Sequence, residues 1–100
     1  MNVKPGMRLR SAVCDTEVVV IHAARPDVDL CCGGHPMVQL PGEPPEGLVL
    51  SETSGTQLGK RYHHEATGTE VLCTKAGAGG LCIEGDVVPV KATKALPSSD

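Results

Sequence analysis

Aromatic side chains are all but missing: the 100-residue chain has no Trp and no Phe, and Tyr62 is its one aromatic residue. That excludes the stacking platforms on which single-stranded nucleic acid is held. It also leaves the core to Val, Leu, Ile, Ala, Met and Cys, each burying less area than a ring does. No apolar run approaches the roughly 20 residues of a membrane-spanning helix. Basic charge is sparse as well. A net charge of −3, with nothing larger than pairs such as Arg8/Arg10 and Lys60/Arg61, speaks against a nucleic-acid surface. The opening Met1-Asn2-Val3-Lys4-Pro5-Gly6 has no apolar h-region, so no secretory signal is read there and a cytoplasmic location is expected.

What the chain does have is 12 Gly, 8 Pro and five Cys. Glycine and proline at that density break long helices and favour short strands and turns. An odd number of thiols without a secretory signal argues against a disulfide scaffold and points to metal ligands, reactive groups or buried filler. Buried filler is one reading of Cys73 and Cys82. The chain is organised around Leu30-Cys31-Cys32-Gly33-Gly34-His35-Pro36-Met37, with Cys14 upstream. Thiols beside glycines that let the backbone turn sharply are how a short chain builds a knuckle around a soft metal.

Arg8 to Ile21 carries the β-branched run Val18-Val19-Val20-Ile21 and reads as a strand. Ala23-Ala24-Arg25-Pro26-Asp27 is turn material, and Val38 to Leu40 is one more short strand. Pro41-Gly42-Glu43-Pro44-Pro45-Glu46-Gly47 cannot join a sheet interior and reads as a linker, followed by polar, loop-like Ser51 to Gly59. A second block follows from Arg61 to Val90. Within it, Ala76-Gly77-Ala78-Gly79-Gly80 is expected to be a tight turn joining two strands of a hairpin. It is not a phosphate loop, since no Lys-Ser/Thr and no helix pattern follow. Lys94 to Asp100 is expected to fray.

The two blocks resemble each other. Thr16-Glu17-Val18 matches Thr69-Glu70-Val71 at an offset of 53, and Leu30-Cys31-x-x-Gly34 matches Leu81-Cys82-x-x-Gly85 at an offset of 51. A tandem duplication joined by a Pro-rich linker accounts for both matches, the change in offset falling in a turn. In this register Ser11 lies opposite His64, Cys14 opposite Thr67 and Met37 opposite Val88.

The motif around Cys31 and Cys32 resembles the closing motif of desulforedoxin and of the desulfoferrodoxin N-terminal domain, Leu-x-Cys-Cys-Gly-x-Pro-Met. The segment Leu9-Arg10-Ser11-Ala12-Val13-Cys14-Asp15-Thr16-Glu17-Val18 is similar to the family's upstream half, aromatic-x-Cys-x-x-Cys-Gly-x-x-Val. The resemblance covers residues 8–40 and, more faintly, 61–90. It implies an all-β fold of two small knuckles in tandem, packed as a pseudo-dimer: a first repeat over 8–40, a linker over 41–60, a degenerate second repeat over 61–92 and a flexible tail over 93–100. In the family four Cys hold one iron or zinc, iron for one-electron transfer to a redox partner and zinc for structure.

The departures are specific. Ser11 stands at the first Cys position, and Asp15 replaces the glycine after the second. Two registers remain for the closing motif. With one residue inserted before Pro36, both Cys31 and Cys32 are ligands; without a gap, the ligand positions fall on Cys32 and Gly33. In the second block the four positions become His64, Thr67, Ile83 and Glu84. The candidate metal residues are therefore Cys14, Cys31, Cys32, His35 and Ser11, enough for a tetrahedral zinc or iron site of three thiolates plus an oxygen or imidazole. The other reading is that Cys14 and Cys32 pack as small hydrophobes. His22 is expected at a solvated strand end, and His63 and His64 on opposite strand faces. Paired carboxylates Asp15/Glu17 read as solvated, and a Cys32/His35 nucleophile pair lacks an orienting partner. Two functions follow: a metal-binding redox or structural protein, or a metal-free accessory module for a protein partner. In either case the chain is a monomeric pseudo-dimer or a homodimer.

Overall fold

The computed structural model describes residues 1–40, 42, 43 and 47–91. Pro41, Pro44, Pro45 and Glu46 of the expected linker, and the expected tail over 93–100, lie outside the described residues. The described residues form nine short strands and no helix: β1 (Arg8–Arg10), β2 (Glu17–Ala23), β3 (Leu30–Cys32), β4 (His35–Pro36), β5 (Val38–Gln39), β6 (Arg61–His64), β7 (Thr69–Lys75), β8 (Leu81–Ile83) and β9 (Asp86–Val87). The protein is all-β, with two antiparallel sheets. One runs β5-β1-β2-β7-β6 and the other β4-β3-β8-β9. No helix among the described residues is long and apolar enough to cross a membrane.

β2 forms where the β-branched run predicts it, and its period of two sorts the valines. Val18 and Val20 are buried, Val19 is half-buried, and Ile21 faces solvent. His22 is exposed at the end of the strand, as expected. The short hairpins turn at Gly33-Gly34 and at Glu84-Gly85. All four residues have positive φ, the backbone that a two-residue hairpin loop requires. Glu84 adopts φ 53° despite its side chain, whose carboxylate accepts the Asp29 N–H at 2.8 Å.

The two halves are built on the same registers. Leu9 pairs with Val18 in β1/β2 as Tyr62 pairs with Val71 in β6/β7. Cys31 pairs with Pro36 in β3/β4 as Cys82 pairs with Val87 in β8/β9. The Met37 N–H donates to the Leu30 carbonyl at 3.1 Å, and the Val88 N–H to the Leu81 carbonyl at 2.9 Å. Both sheets are then completed across the halves. β2 pairs with β7, placing Val19 opposite Leu72, and β3 pairs with β8, placing Cys31 opposite Cys82.

One expectation is corrected. Ala76 to Gly80 does not close a hairpin, because β7 and β8 belong to different sheets. The segment crosses from one sheet to the other, and its glycines are there for close approach. A Cβ on Gly77 would collide with Thr16, and one on Gly79 would lie 2.7 Å from the Gly33 Cα.

The inner faces of both sheets share a single core of Leu9, Val18, Val20, Tyr62, Val71 and Cys73 from one and Leu30, Cys32, Leu81 and Ile83 from the other, closed by Val3, Val28, Met37 and Val88. Full burial of one such aliphatic side chain stabilises by about 1.5–3 kcal/mol. Tyr62, the single aromatic, accepts the Gln57 N–H on its hydroxyl at 2.9 Å. The loop-like residues after the proline stretch are held in place. Ser51 N–H donates to Gly33 O at 3.0 Å, Thr56 N–H to Gly77 O at 3.1 Å and Gly59 N–H to Cys73 O at 2.9 Å.

Candidate functional site

Ser11, Cys14 and Cys32 come together between the two sheets. Residues 11–16 form the tight connection from β1 to β2, and Ser11 organises it. Its buried hydroxyl oxygen accepts the N–H groups of Val13 and Cys14, both at 3.1 Å. Cys14 is thereby turned toward Cys32, and the two sulfurs are 3.9 Å apart. Cys32 is fully buried, its thiol directed at Gly79 O at 3.5 Å, whereas Cys14 is half-buried. All five cysteines are free thiols.

Cys14 is surrounded by donors. The Gly79 N–H points at its sulfur at 3.3 Å, and the Thr16 hydroxyl lies 3.3 Å away. Thr16 in turn contacts the Thr56 hydroxyl at 2.9 Å, whose oxygen also accepts the Gly77 N–H at 2.9 Å. When Cys14 is ionised, Thr56 donates to Thr16 and Thr16 donates to the sulfur. When it is a thiol, the S–H donates to Thr16 instead, and Thr16 donates to Thr56. Burial pushes the Cys14 thiol up, but the hydroxyls of Ser11 and Thr16 and the N–H groups of Thr16 and Gly79 outweigh it and bring it down to about 7. Burial dominates at Cys32 and pushes its thiol up to about 12.

These opposed shifts set a pH dependence. The unfolded thiols titrate near 9.0. Between about 7 and 9 the unfolded chain holds the Cys14 proton that the folded chain has lost, so stability rises with pH. Above about 9 the unfolded chain releases the Cys32 proton that the folded chain keeps, so stability falls. Denaturant unfolding across this range should show the rise in wild type and its loss in Cys14→Ser. An equal slope in both proteins would remove Cys14 as the source.

Of the expected metal residues, Cys31 and His35 are not brought to this cluster. Neighbouring residues of a strand face opposite ways, so Cys31 lies across the sheet from Cys32, in a row with Pro36, Cys82 and Val87. Burial raises both half-exposed thiols of this row, with Asp29 adding at Cys31 and Glu52 at Cys82. His35 donates its Nε2–H to the Val49 carbonyl at 2.8 Å. In the gap-free register the fourth position is Gly33, where a Cβ would meet Val13 and Leu50 side chains at 2.6 Å each.

Two thiolates on one zinc at 2.3 Å, at the tetrahedral angle, are about 3.8 Å apart, close to the 3.9 Å between Cys14 and Cys32. The rest of a coordination sphere is missing: one hydroxyl already accepting two N–H groups, and an apolar wall where a fourth donor would stand. Among the described residues no three His, Cys, Asp or Glu side chains gather as metal ligands. The donor set does not fit a zinc or iron centre of the desulforedoxin type.

The equivalent place in the second half holds a hydrogen-bonded chain. His64 and Thr67 are buried, and His64 Nε2 lies 3.0 Å from an Asp86 carboxylate oxygen. A carboxylate only accepts, so Nε2 carries a hydrogen, and with the ring hydrogen on Nε2 alone Nδ1 accepts the Thr67 hydroxyl at 2.8 Å. Thr67 then accepts from Thr69 at 2.9 Å. Ile83 fills the core and Glu84 caps Asp29. His63 faces the other way, 3.4 Å from the buried Glu70, which Lys91 also holds at 3.0 Å. Hydrogen bonding by Lys91 keeps the Glu70 carboxyl below its ordinary range.

The sequence reading missed Thr16, Thr56, Thr69, Gly79 and Asp86. A signal existed for two of them: Thr69 stands at the repeat position of Thr16, and Asp86 at that of His35. Nothing local marks Thr56 or Gly79, which reach the cluster from loops far along the chain. Comparison with family models, with curated proteins and with solved structures returns no match.

Proposed function

We propose that this chain is a tandem desulforedoxin-like pseudo-dimer that works without a metal, as a cytoplasmic accessory module for a protein partner. The observation that carries the reading is the state of the two ligand positions. One holds two thiols and a capped serine, and the other an Asp86–His64–Thr67–Thr69 chain in which every polar side-chain group has a partner. A polar cluster satisfied in this way takes over the cross-linking a metal would supply. Support for the tandem arrangement comes from the shared registers, with equivalent residues facing each other at Val19/Leu72 and Cys31/Cys82.

The face offered to the partner is the outside of the four-stranded sheet. There Pro36, Cys31, Cys82 and Val87 form one apolar row, with Val87 63% exposed. Protein purified without chelator should contain far less than stoichiometric zinc or iron, and a chelator should leave its Tm unchanged. Stoichiometric metal lost in Cys14→Ala would overturn the reading. In native extract the chain should elute in a complex much larger than 10.4 kDa, and Val87→Glu should release it without lowering Tm. Elution as a free monomer in both cases would sink the accessory role, and a homodimer through the same row would replace the partner by a second copy.

A further inference from the structure

The Cys14–Cys32 pair is placed for a chemistry that a filled metal site would forbid. We infer that the two form a redox pair in which Cys14 attacks a hydroperoxide and Cys32 resolves the product, closing a disulfide between the two sheets. This rests on the metal-free reading above.

Geometry assigns the roles. Cys14 is half-buried and reachable, with the Gly79 N–H and the Thr16 hydroxyl aimed at its sulfur. Those donors favour the thiolate, the form that attacks. Cys32 is fully buried behind it and meets an oxidant only through Cys14. A disulfide has an S–S distance of about 2.05 Å, so the sulfurs must approach by about 1.9 Å from 3.9 Å. Cys14 lies in the connection between β1 and β2, outside either strand, where a shift of that size breaks no ladder bond.

The chemistry balances in two steps. The Cys14 thiolate attacks one peroxide oxygen; the S–O bond forms, the O–O bond breaks, and the departing hydroxide takes a proton from solvent. The sulfur of Cys32 then attacks the Cys14 sulfenic acid; the S–S bond forms and the S–O bond breaks. The hydroxide leaves as water with the proton of the Cys32 thiol. Two thiols are oxidised by two electrons and one hydrogen peroxide is reduced to two waters.

The thiols of Cys31 and Cys82 supply the competing pair, since they face each other across β3 and β8 and both are half-exposed. Among the described residues no donor points at either sulfur, so nothing there favours the attacking thiolate as the Gly79 N–H and the Thr16 hydroxyl do at Cys14.

The test is one equivalent of hydrogen peroxide on the full chain, read by intact mass and peptide mapping, with elemental analysis of the same sample. Wild type should lose the mass of two hydrogens, with titratable thiols falling from five to three and the bridge mapping to Cys14–Cys32. Cys32→Ser should stop at a Cys14 sulfenic acid trapped by dimedone, and Cys14→Ser should keep all its thiols. The reaction rate in wild type should rise with pH to a plateau, with a midpoint near 7. A bridge mapped to Cys31–Cys82, or five surviving thiols, overturns the inference. If a variant fails to fold by circular dichroism, the wild-type map and pH profile still decide. Metal in the sample sinks the metal-free reading, whereas metal-free protein that forms no bridge sinks this inference alone.

Discussion

A Gly79→Ala protein is expected to lose about 3 kcal/mol of stability, the upper range for forcing a methyl group into a filled interior. For a chain of this size that lowers Tm on the order of 15 °C. Gly79 is buried, and a Cβ there would lie 2.7 Å from Gly33 Cα, 2.8 Å from Gly33 N and 3.2 Å from the Cys14 sulfur. Two of those neighbours are backbone, and Gly33 N is committed to the Gly80 carbonyl at 3.0 Å, so neither can step aside. The damage should reach the thiol pair as well, since Gly79 supplies both the N–H on Cys14 and the carbonyl facing Cys32. Ala78→Gly, at an exposed position in the same segment, should stay within about 1 kcal/mol of wild type. Thermal melts of the three proteins make the check. A Gly79→Ala melt matching wild type would mean that the two backbones do not meet there.

Replacing His64 by Ala should be nearly as damaging, at about 3 kcal/mol. The substitution empties buried volume and at the same time takes from Thr67 the acceptor of its hydroxyl. His64→Leu separates the two effects. It refills most of the space but leaves Thr67 and Thr69 with one hydrogen too many for the partners they have, and should remain about 2 kcal/mol below wild type. Recovery of full stability in the Leu variant would make His64 a space filler. Asp86 is 67% exposed, so Asp86→Ala should cost no more than about 1 kcal/mol. Denaturant unfolding of the three variants resolves differences of this size.

The strand-rich architecture is legible in particular residues. Val18 to Ile21 can only be a strand, and its alternation already says which valines face inward. The matched blocks also announce that Ser11 and His64, or Met37 and Val88, occupy like positions. What is not legible is which sheet each strand joins. That is why Ala76 to Gly80 reads as a hairpin: the glycine run has the composition of a turn, and only the partners of β7 and β8 reveal a crossing. The Cys31-Cys32 pair is ambiguous in the sequence for a different reason. Cys31 and Cys32 look like a pair of ligands in the sequence, yet a strand sends adjacent side chains to opposite faces, and β3 is a strand. The convergence of Ser11, Cys14 and Cys32 is one that the resemblance leads one to expect. The hydroxyl chain through Thr16 and Thr56 is not, because Thr56 arrives from the stretch that composition marks as a loop.

The pairing of Val19 with Leu72 and of Cys31 with Cys82 has a consequence for the birth of the molecule. As the chain leaves the ribosome, β2 and β3 emerge long before β7 and β8, the strands that cover their open edges. Throughout that interval the nascent half presents two unpaired rows of N–H and C=O groups, ready to bond to whatever strand comes first. Neighbouring chains on one polysome carry the same edges, so the time between the emergence of β3 and that of β8 weighs closure of a chain on itself against closure on its neighbour.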